Sequence, residues 1–159
     1  MTTTITTLDE LKQLVGQELQ VGEWHEVTQA EVDRFADATG DHQWIHVDRE
    51  RAKNGPFGAT VAHGFWTLST ARRFLGGAGG VQVRLPSRMG VNYGLNRVRF
   101  PTPVRVGSRI RSRARLLSVE EVQPNVVQQV TEITVEIEGE AKPAMVAESV
   151  TRTYLEPKV

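Results

Sequence analysis

Residues 35–48 read F-A-D-A-T-G-D-H-Q-W-I-H-V-D, and A-H-G follows at residues 62–64. The stretch concentrates acid and base side chains, because Asp41 and His46 lie five residues apart on a segment without helical or strand periodicity. A histidine with a near-neutral pKa takes a proton from water, and a nearby carboxylate exchanges a second one. These residue types therefore point to a pair that holds and activates one water molecule.

A helix is predicted to deliver Asp41 to its place. Thr28 and Glu31 have the spacing of a capping box, and Val27 and Val32 that of a hydrophobic staple. Gly40 is the residue type that ends helices. The pattern predicts a helix from Thr28 to Gly40, with Asp41 immediately after it.

A second helix is predicted from Gly64 to Leu75. Its side chains are apolar on nearly every face, which is typical of a buried helix. The first amides of a helix have no partner within it, and glycine allows close approach of a ligand. Gly64 is therefore a candidate oxyanion-hole donor for a carbonyl oxygen, and His63 before it is interpreted as structural. The glycines at 76, 77, 79 and 80 predict a flexible exit from this helix.

The second half of the chain alternates as strands do. Apolar and charged side chains alternate in Ser108–Leu117 and in Val126–Glu138, one carrying a row of arginines and the other a row of glutamates. Opposite charges across antiparallel neighbours contribute about 0.2–1 kcal/mol per pair. Further strands are expected over Met89–Phe100 and Ala144–Leu155. Helices followed by strands predict an α+β fold, a single domain over residues 1–159 with the sheet wrapped around the apolar helix.

Composition excludes several classes of function. The chain has 159 residues, no net charge and no cysteine, so neither a nucleic-acid partner nor a cysteine nucleophile is indicated. The N-terminal residues lack the features of a signal peptide, and no apolar run is long enough to span a membrane. We expect a soluble, cytoplasmic protein. Four scattered histidines without metal-ligand spacing predict no metal site.

Each candidate has a structural alternative when taken alone. Asp41 also suits a turn cap, His46 a hydrogen-bonded core histidine, and Gly64 a plain helix start. Arg97 and Arg99, with Asn96 beside them, could bind substrate phosphates, or they could form a solvated strand face. No P-loop or dinucleotide fingerprint is present, so no nucleotide cofactor is expected.

In combination, the motif F-A-D-A-T-G-D-H-Q-W-I-H-V-D with A-H-G-F downstream resembles the MaoC-like (R)-specific enoyl-CoA hydratases. Their motif is G-D-x-N-P-hydrophobic-H-x-D followed by H-G. The form H-Q-W-I-H-V-D and the later N-Y-G-L-N-R-V-R-F-P resemble the nodulation-protein-N-like branch. The resemblance extends from the first of the two helices described above to the last strand, and it implies a hot-dog fold with a long central helix and a homodimer whose sheets join.

The resemblance also implies a reaction. Asp41 and His46 match the family's catalytic pair, and Gly64 matches the glycine whose amide binds the thioester oxygen. The implied substrate is a trans-2-enoyl-CoA, hydrated without metal or cofactor to the (R)-3-hydroxyacyl-CoA. Gln43 and Trp44 replace the family's Asn-Pro; Gln43 keeps the amide for substrate binding, but the loop loses a rigid proline. An acyl-CoA thioesterase and a non-catalytic acyl-thioester-binding protein are the alternatives.

Overall fold

The computed structural model describes residues 2–76 and 80–157. In chain order the elements are β1 (Thr2–Ile5), α1 (Leu8–Gln13), β2 (Glu18–Val21), β3 (His25–Glu26), α2 (Gln29–Thr39), α3 (Trp44–Val47), α4 (Arg49–Lys53), α5 (Gly64–Thr70), a 3₁₀ helix (Arg73–Leu75), β4 (Gly80–Val83), β5 (Ser87–Arg99), β6 (Arg109–Gln123), β7 (Val126–Ile137) and β8 (Met145–Leu155). Of the predicted glycine exit, Gly77 and Gly79 lie outside the described residues.

One antiparallel sheet dominates the molecule. Its strand order is β2-β6-β7-β8-β5, and β3 pairs with β6 beside β2. A separate parallel pair, β1 with β4, was not predicted, because each strand is only four residues long and carries little alternation. The predicted α+β fold is confirmed, with β5 at one edge of the main sheet.

The core lies between this sheet and α5. Trp66 and Ala71 pack against the inward-facing Ile133, Val135 and Ala147 of β7 and β8. Alternation along the strands places these apolar side chains on one face. The outer face carries ion pairs, among them Arg109–Glu138 at 3.0 Å and Arg111–Glu136 at 2.6 Å, so the predicted facing rows of charge are confirmed.

The central helix is shorter than predicted. The α-helix ends at Thr70, and the chain continues through a turn into the 3₁₀ helix instead of reaching Leu75 as regular α-helix. Ser69 and Thr70 each donate a side-chain hydrogen bond of 2.7 Å to a backbone carbonyl four residues earlier, which competes with the regular helix. Phe65 is 69% exposed, so the helix is not buried on every side of this single chain.

The predicted capping box at Thr28 is confirmed with both of its hydrogen bonds, and Thr7 forms a second capping box at the start of α1. Val27 and Val32 of the predicted staple are both fully buried. In the part of the chain that the structure describes, no helix has the length and apolar character required to cross a bilayer.

Candidate active site

Asp41 lies directly beyond the C-terminal end of α2. Gly40 turns the chain with a φ of 77°, in the left-handed region that favours glycine. The Asp41 carboxylate accepts a hydrogen bond from the Gln43 N–H at 3.3 Å, and its side chain is 53% exposed. Asp41 therefore presents an ionisable group to solvent from a position set by the helix.

His46 lies in the short helix α3 and is buried, with 8% of its surface exposed. Its Nδ1 is 2.6 Å from the backbone oxygen of Val61. Because a carbonyl oxygen only accepts hydrogen bonds, Nδ1 must carry the proton, and the neutral ring has its lone pair on Nε2. His46 is thus held in the tautomer that leaves Nε2 free to accept a proton.

Three residues that the sequence analysis did not single out, Gln29, Thr60 and Val61, hold the segment around His46. The Gln29 side chain donates to the His46 carbonyl at 2.7 Å, and its own oxygen accepts a 2.6 Å hydrogen bond from Thr60. The Val61 N–H donates to the Ile45 carbonyl at 2.9 Å. These partners are 15 to 31 residues apart in the chain, so no local pattern could have revealed them.

His63 joins the two candidate residues. Its ring stacks on that of His46 with a centroid distance of 3.7 Å and an interplanar angle of 24°. Its Nε2 lies 2.9 Å from the backbone oxygen of Asp41, to which it must donate. One ligand atom from each of Asp41, His46 and His63 lies within 4.8 Å of the other two. The predicted convergence of Asp41 and His46 is therefore present in the structure.

The environment favours neutral His46. Burial is the main cause that lowers the pKa of His46, and the nearby His63 lowers it further. The hydrogen bond to Val61 and the charge of Asp41 act in the opposite direction but do not reverse the shift. A histidine that stays neutral near pH 7 is suited to work as a base.

Gly64 is the first residue of α5 and follows His63 directly. Its N–H donates to no acceptor in the hydrogen bonds of the described residues. A Cβ added at this position would come within 3.2 Å of the Phe100 ring, so the space beside the amide is narrow. Gly64 thus provides a backbone donor next to the Asp41–His46–His63 cluster. Its role as an oxyanion-hole donor stays a prediction.

The predicted substrate-binding residues are more scattered. Gln43 precedes α3 beside Asp41, and its side chain is exposed. Asn96, Arg97 and Arg99 are exposed on the edge strand β5. Arg99 donates to the neighbouring Val98 carbonyl at 2.7 Å. Their role in binding stays a prediction.

The same cluster resembles a set of metal ligands in composition. Two facts argue against that use: His46 Nδ1 and His63 Nε2 are engaged by backbone carbonyls, and the two rings are stacked. The lone pairs of imidazole lie in the ring plane, so stacked rings aim them side by side rather than at one ion about 2 Å away. The prediction of no metal site is kept.

Comparison with known proteins identifies similar sequences along nearly the whole chain. A family model described as "MaoC like domain" matches residues 10–138. The chain is 49% identical over 153 residues to 3-hydroxyacyl-thioester dehydratase Z of Mycobacterium tuberculosis, covering 94% of this chain and 97% of that protein. It is 45% identical over 154 residues to nodulation protein N of Rhizobium leguminosarum, covering 95% and 93%.

Solved structures share the fold at lower sequence identity. A monoamine oxidase regulatory protein from Archaeoglobus fulgius has a TM-score of 0.79 at 21% identity, over 99% of both chains. An (R)-hydratase from A. caviae involved in PHA biosynthesis has a TM-score of 0.65 at 23% identity, covering 89% of this chain and 96% of that one. At these identities the likeness concerns the fold.

Proposed function

The chain belongs to the family of MaoC-like domains, and on that basis we propose that it is a hydro-lyase acting on acyl thioesters. In the hydration direction it adds water to a trans-2-enoyl-CoA and produces the (R)-3-hydroxyacyl-CoA; dehydration is the reverse. The relative named 3-hydroxyacyl-thioester dehydratase Z supports this reaction class. The substrate is a CoA thioester, and no cofactor takes part.

Catalysis begins with polarisation of the substrate. The Gly64 N–H binds the thioester oxygen, which makes C3 of the enoyl group electrophilic. Negative charge grows on this oxygen when water attacks, so a donor placed there stabilises the transition state more than the ground state. Removing one such donor typically costs about 100- to 1,000-fold in rate.

The water is held between Asp41 and His46. Nε2 of His46 removes one proton as the oxygen bonds to C3, while the Asp41 carboxylate accepts a hydrogen bond from the remaining O–H and orients the molecule. The imidazolium then returns its proton to C2, so one hydroxyl and one hydrogen have been added. A positioned acid and base contributes about 100- to 10,000-fold.

The observation that carries this proposal is the arrangement of His46. Its Nδ1–H donates to the Val61 carbonyl, its Nε2 has no hydrogen-bond partner among the described residues, and a carboxylate oxygen of Asp41 lies within 4.8 Å of a ring nitrogen of His46. An isolated core histidine would need neither the free nitrogen nor the neighbouring carboxylate.

The first prediction concerns the catalytic pair. Asp41→Asn and His46→Ala should each lower kcat/KM for crotonyl-CoA at least 100-fold, because each removes one half of the acid/base system. Hydration is followed by the loss of enoyl absorbance, and chiral analysis of the product checks the (R) configuration.

Asp37 and His42 offer matched controls. They form an exposed pair with a distance of 2.9 Å at the same end of α2, outside the cluster. Asp37→Asn and His42→Ala should keep nearly full activity. Undiminished hydration by Asp41→Asn and His46→Ala would eliminate the mechanism.

The same assay separates the alternatives. Release of free thiol without a 3-hydroxyacyl product would indicate a thioesterase. Tight binding of acyl-CoA without turnover, under conditions in which a known hydratase is active, would indicate a binding protein. Fold alone does not distinguish these activities.

We also propose that two copies associate through β5. This strand is at the edge of the main sheet, and Met89, Tyr93 and Leu95 on it are 54%, 59% and 45% exposed. An unpaired edge strand with exposed apolar side chains is a template for pairing with another strand. A second copy would extend the sheet and cover these residues.

A further inference from the structure

Two cavities meet at Arg72, beyond the C-terminal end of α5. The larger has a volume of about 700 Å³ and lies between the β1–β4 pair and the inner face of the main sheet. The smaller, of about 340 Å³, lies between α5 and the sheet. Both volumes are in the range of small-molecule sites, and Arg72 and Asn92 line both.

The larger cavity has an unusual balance of charge. Arg72 and Arg84 line it, and no Asp or Glu is among its described lining residues. Eight further lining residues have neutral side chains that can form hydrogen bonds: Gln20, Gln82, Ser87, Asn92, Gln129, Thr131, Thr151 and Thr153. A cavity of this composition is electropositive and suited to an anion.

Arg72 lines both cavities and its guanidinium has a neutral hydrogen-bond partner. Its Nη2 donates to the hydroxyl of Ser149 at 3.3 Å. Within the described part of the chain no carboxylate lies within 4.0 Å of it, in contrast to Arg109, Arg111 and Arg113 on the outer face. Desolvation lowers the pKa of Arg72, but the residue is exposed to solvent and the guanidinium stays charged.

The smaller cavity lies along α5, the helix that begins at the candidate donor Gly64. Leu68 and Ser69 of α5 line it, together with the apolar Leu95, Ile133, Met145 and Ala147 of the sheet. From Gly64 to Thr70 the helix rises about 9 Å at 1.5 Å per residue, and Arg72 follows two residues later. An acyl chain whose carbonyl lies at Gly64 and which follows α5 would end beside the guanidinium.

We propose that the larger cavity is an anion-binding subsite, in which Arg72 binds a negatively charged group of the thioester ligand. The position beyond the apolar cavity favours a carboxylate at the far end of the acyl chain. A phosphate of the CoA carrier has the same chemistry and is the other source. This inference rests on the proposed thioester substrate, and it makes Arg72 a determinant of substrate preference.

The second prediction is tested by binding rather than turnover. Calorimetric titration uses two saturated thioesters, octanoyl-CoA and octanedioyl-CoA, which the hydratase reaction does not consume. Wild type should bind octanedioyl-CoA about tenfold more tightly, since hydrogen bonds between charged groups are stronger than neutral ones. Arg72→Gln should remove this preference, whereas Arg72→Lys should retain part of it.

Arg73 supplies the matched control. It is the next residue in the chain, its side chain is 65% exposed, and it lines neither cavity. Arg73→Gln should bind both ligands as wild type does. Thermal unfolding of each variant verifies that Arg72→Gln is folded.

Pantetheine thioesters of the same two acyl groups lack the carrier phosphates and identify the source of the anion. A preference for octanedioyl-pantetheine that depends on Arg72 supports the acyl carboxylate. Weaker binding of octanoyl-CoA but not of octanoyl-pantetheine by Arg72→Gln supports the carrier phosphate. Equal affinity of wild type and Arg72→Gln for all four ligands, or an equal loss for all four, overturns the subsite. If the wild type bound these ligands as expected but did not hydrate crotonyl-CoA, only the proposed reaction would be contradicted.

Discussion

His46 combines burial with a ring nitrogen that has no hydrogen-bond partner among the described residues. The Val61 carbonyl determines which nitrogen carries the proton, and burial keeps the ring neutral. These two effects are independent: the hydrogen bond selects the tautomer, and desolvation disfavours the charged form. A histidine on an exposed loop would have neither restriction.

The third prediction follows from the pKa of His46. Neutral His46 is required for hydration, and its pKa is lowered from the ordinary value of 6.5. The fraction of active enzyme falls as the pH decreases through the folded-state pKa. The acid limb of the kcat/KM profile for crotonyl-CoA should therefore have its midpoint below 6.5.

His63 allows a control for this profile. Because His63 contributes to lowering the pKa of His46, His63→Gln should move the acid limb to higher pH. Gln also has a side-chain amide that can donate to the Asp41 carbonyl in place of Nε2. An acid limb at or above 6.5 in wild type, or one that does not move in His63→Gln, would contradict this account of the site.

Among the secondary-structure elements, α2 positions the carboxylate of Asp41. The capping box and the buried Val27 and Val32 anchor its start, and Gly40 turns the chain at its end. The left-handed conformation of Gly40 is unfavourable for residues with a Cβ. The direction in which Asp41 leaves the helix therefore depends on this glycine.

The fourth prediction compares two glycines. Gly40→Ala and Gly16→Ala both place a Cβ at a positive φ, 77° and 87°, with no atom within 4 Å to clash. Each should lower the free energy of unfolding by about 1–2 kcal/mol, measured in urea. Only Gly40→Ala should also lower kcat/KM, because Gly16 follows α1 and is outside the cluster. A similar loss of activity in both variants would show that general destabilisation is responsible.

For helix α5, the pattern of apolar residues predicts only part of the observed structure. The apolar character of residues 64–75 correctly predicts that Trp66 and Phe74 are buried. It does not predict the break after Thr70, where side-chain hydroxyls bond to the backbone, nor the exposure of Phe65. Propensity and periodicity describe average helices, whereas these features depend on neighbouring elements.

At the scale of the whole molecule, β5 forms an edge of the main sheet. It is thirteen residues long and pairs with β8 alone among the described strands. Natural proteins usually protect such an edge with charges, bulges or another chain. The proposed second copy would convert the exposed edge into the centre of a continuous sheet.

The fifth prediction tests this association. Leu95→Lys should shift the mass measured by light scattering from dimer towards monomer, because a lysine placed in an apolar interface loses its hydration. Val15→Lys is the matched control, since Val15 is 43% exposed, close to the 45% of Leu95, but follows α1. A wild-type monomer, or a dimer that Leu95→Lys leaves intact, would contradict association through β5.

Much of the fold follows from local sequence. The capping boxes at Thr7 and Thr28, the alternation in β6 and β7 and the apolar start of α5 all depend on residues near one another in the chain. Short-range hydrogen bonds and burial of one face produce these elements. The candidate residues Asp41, His46 and Gly64 are likewise identified by one motif, because they lie near one another in the chain.

The contacts that hold His46 in place were decided only by the tertiary structure. Gln29 and Val61 bond to His46 across 17 and 15 residues of chain, Thr60 bonds to Gln29, and His63 stacks on His46 from the segment before α5. The Arg72 cavities likewise form only where α5, the β1–β4 pair and the main sheet come together. Periodicity and spacing describe the arrangement within one element, whereas these contacts depend on how distant elements pack, which a single sequence does not specify.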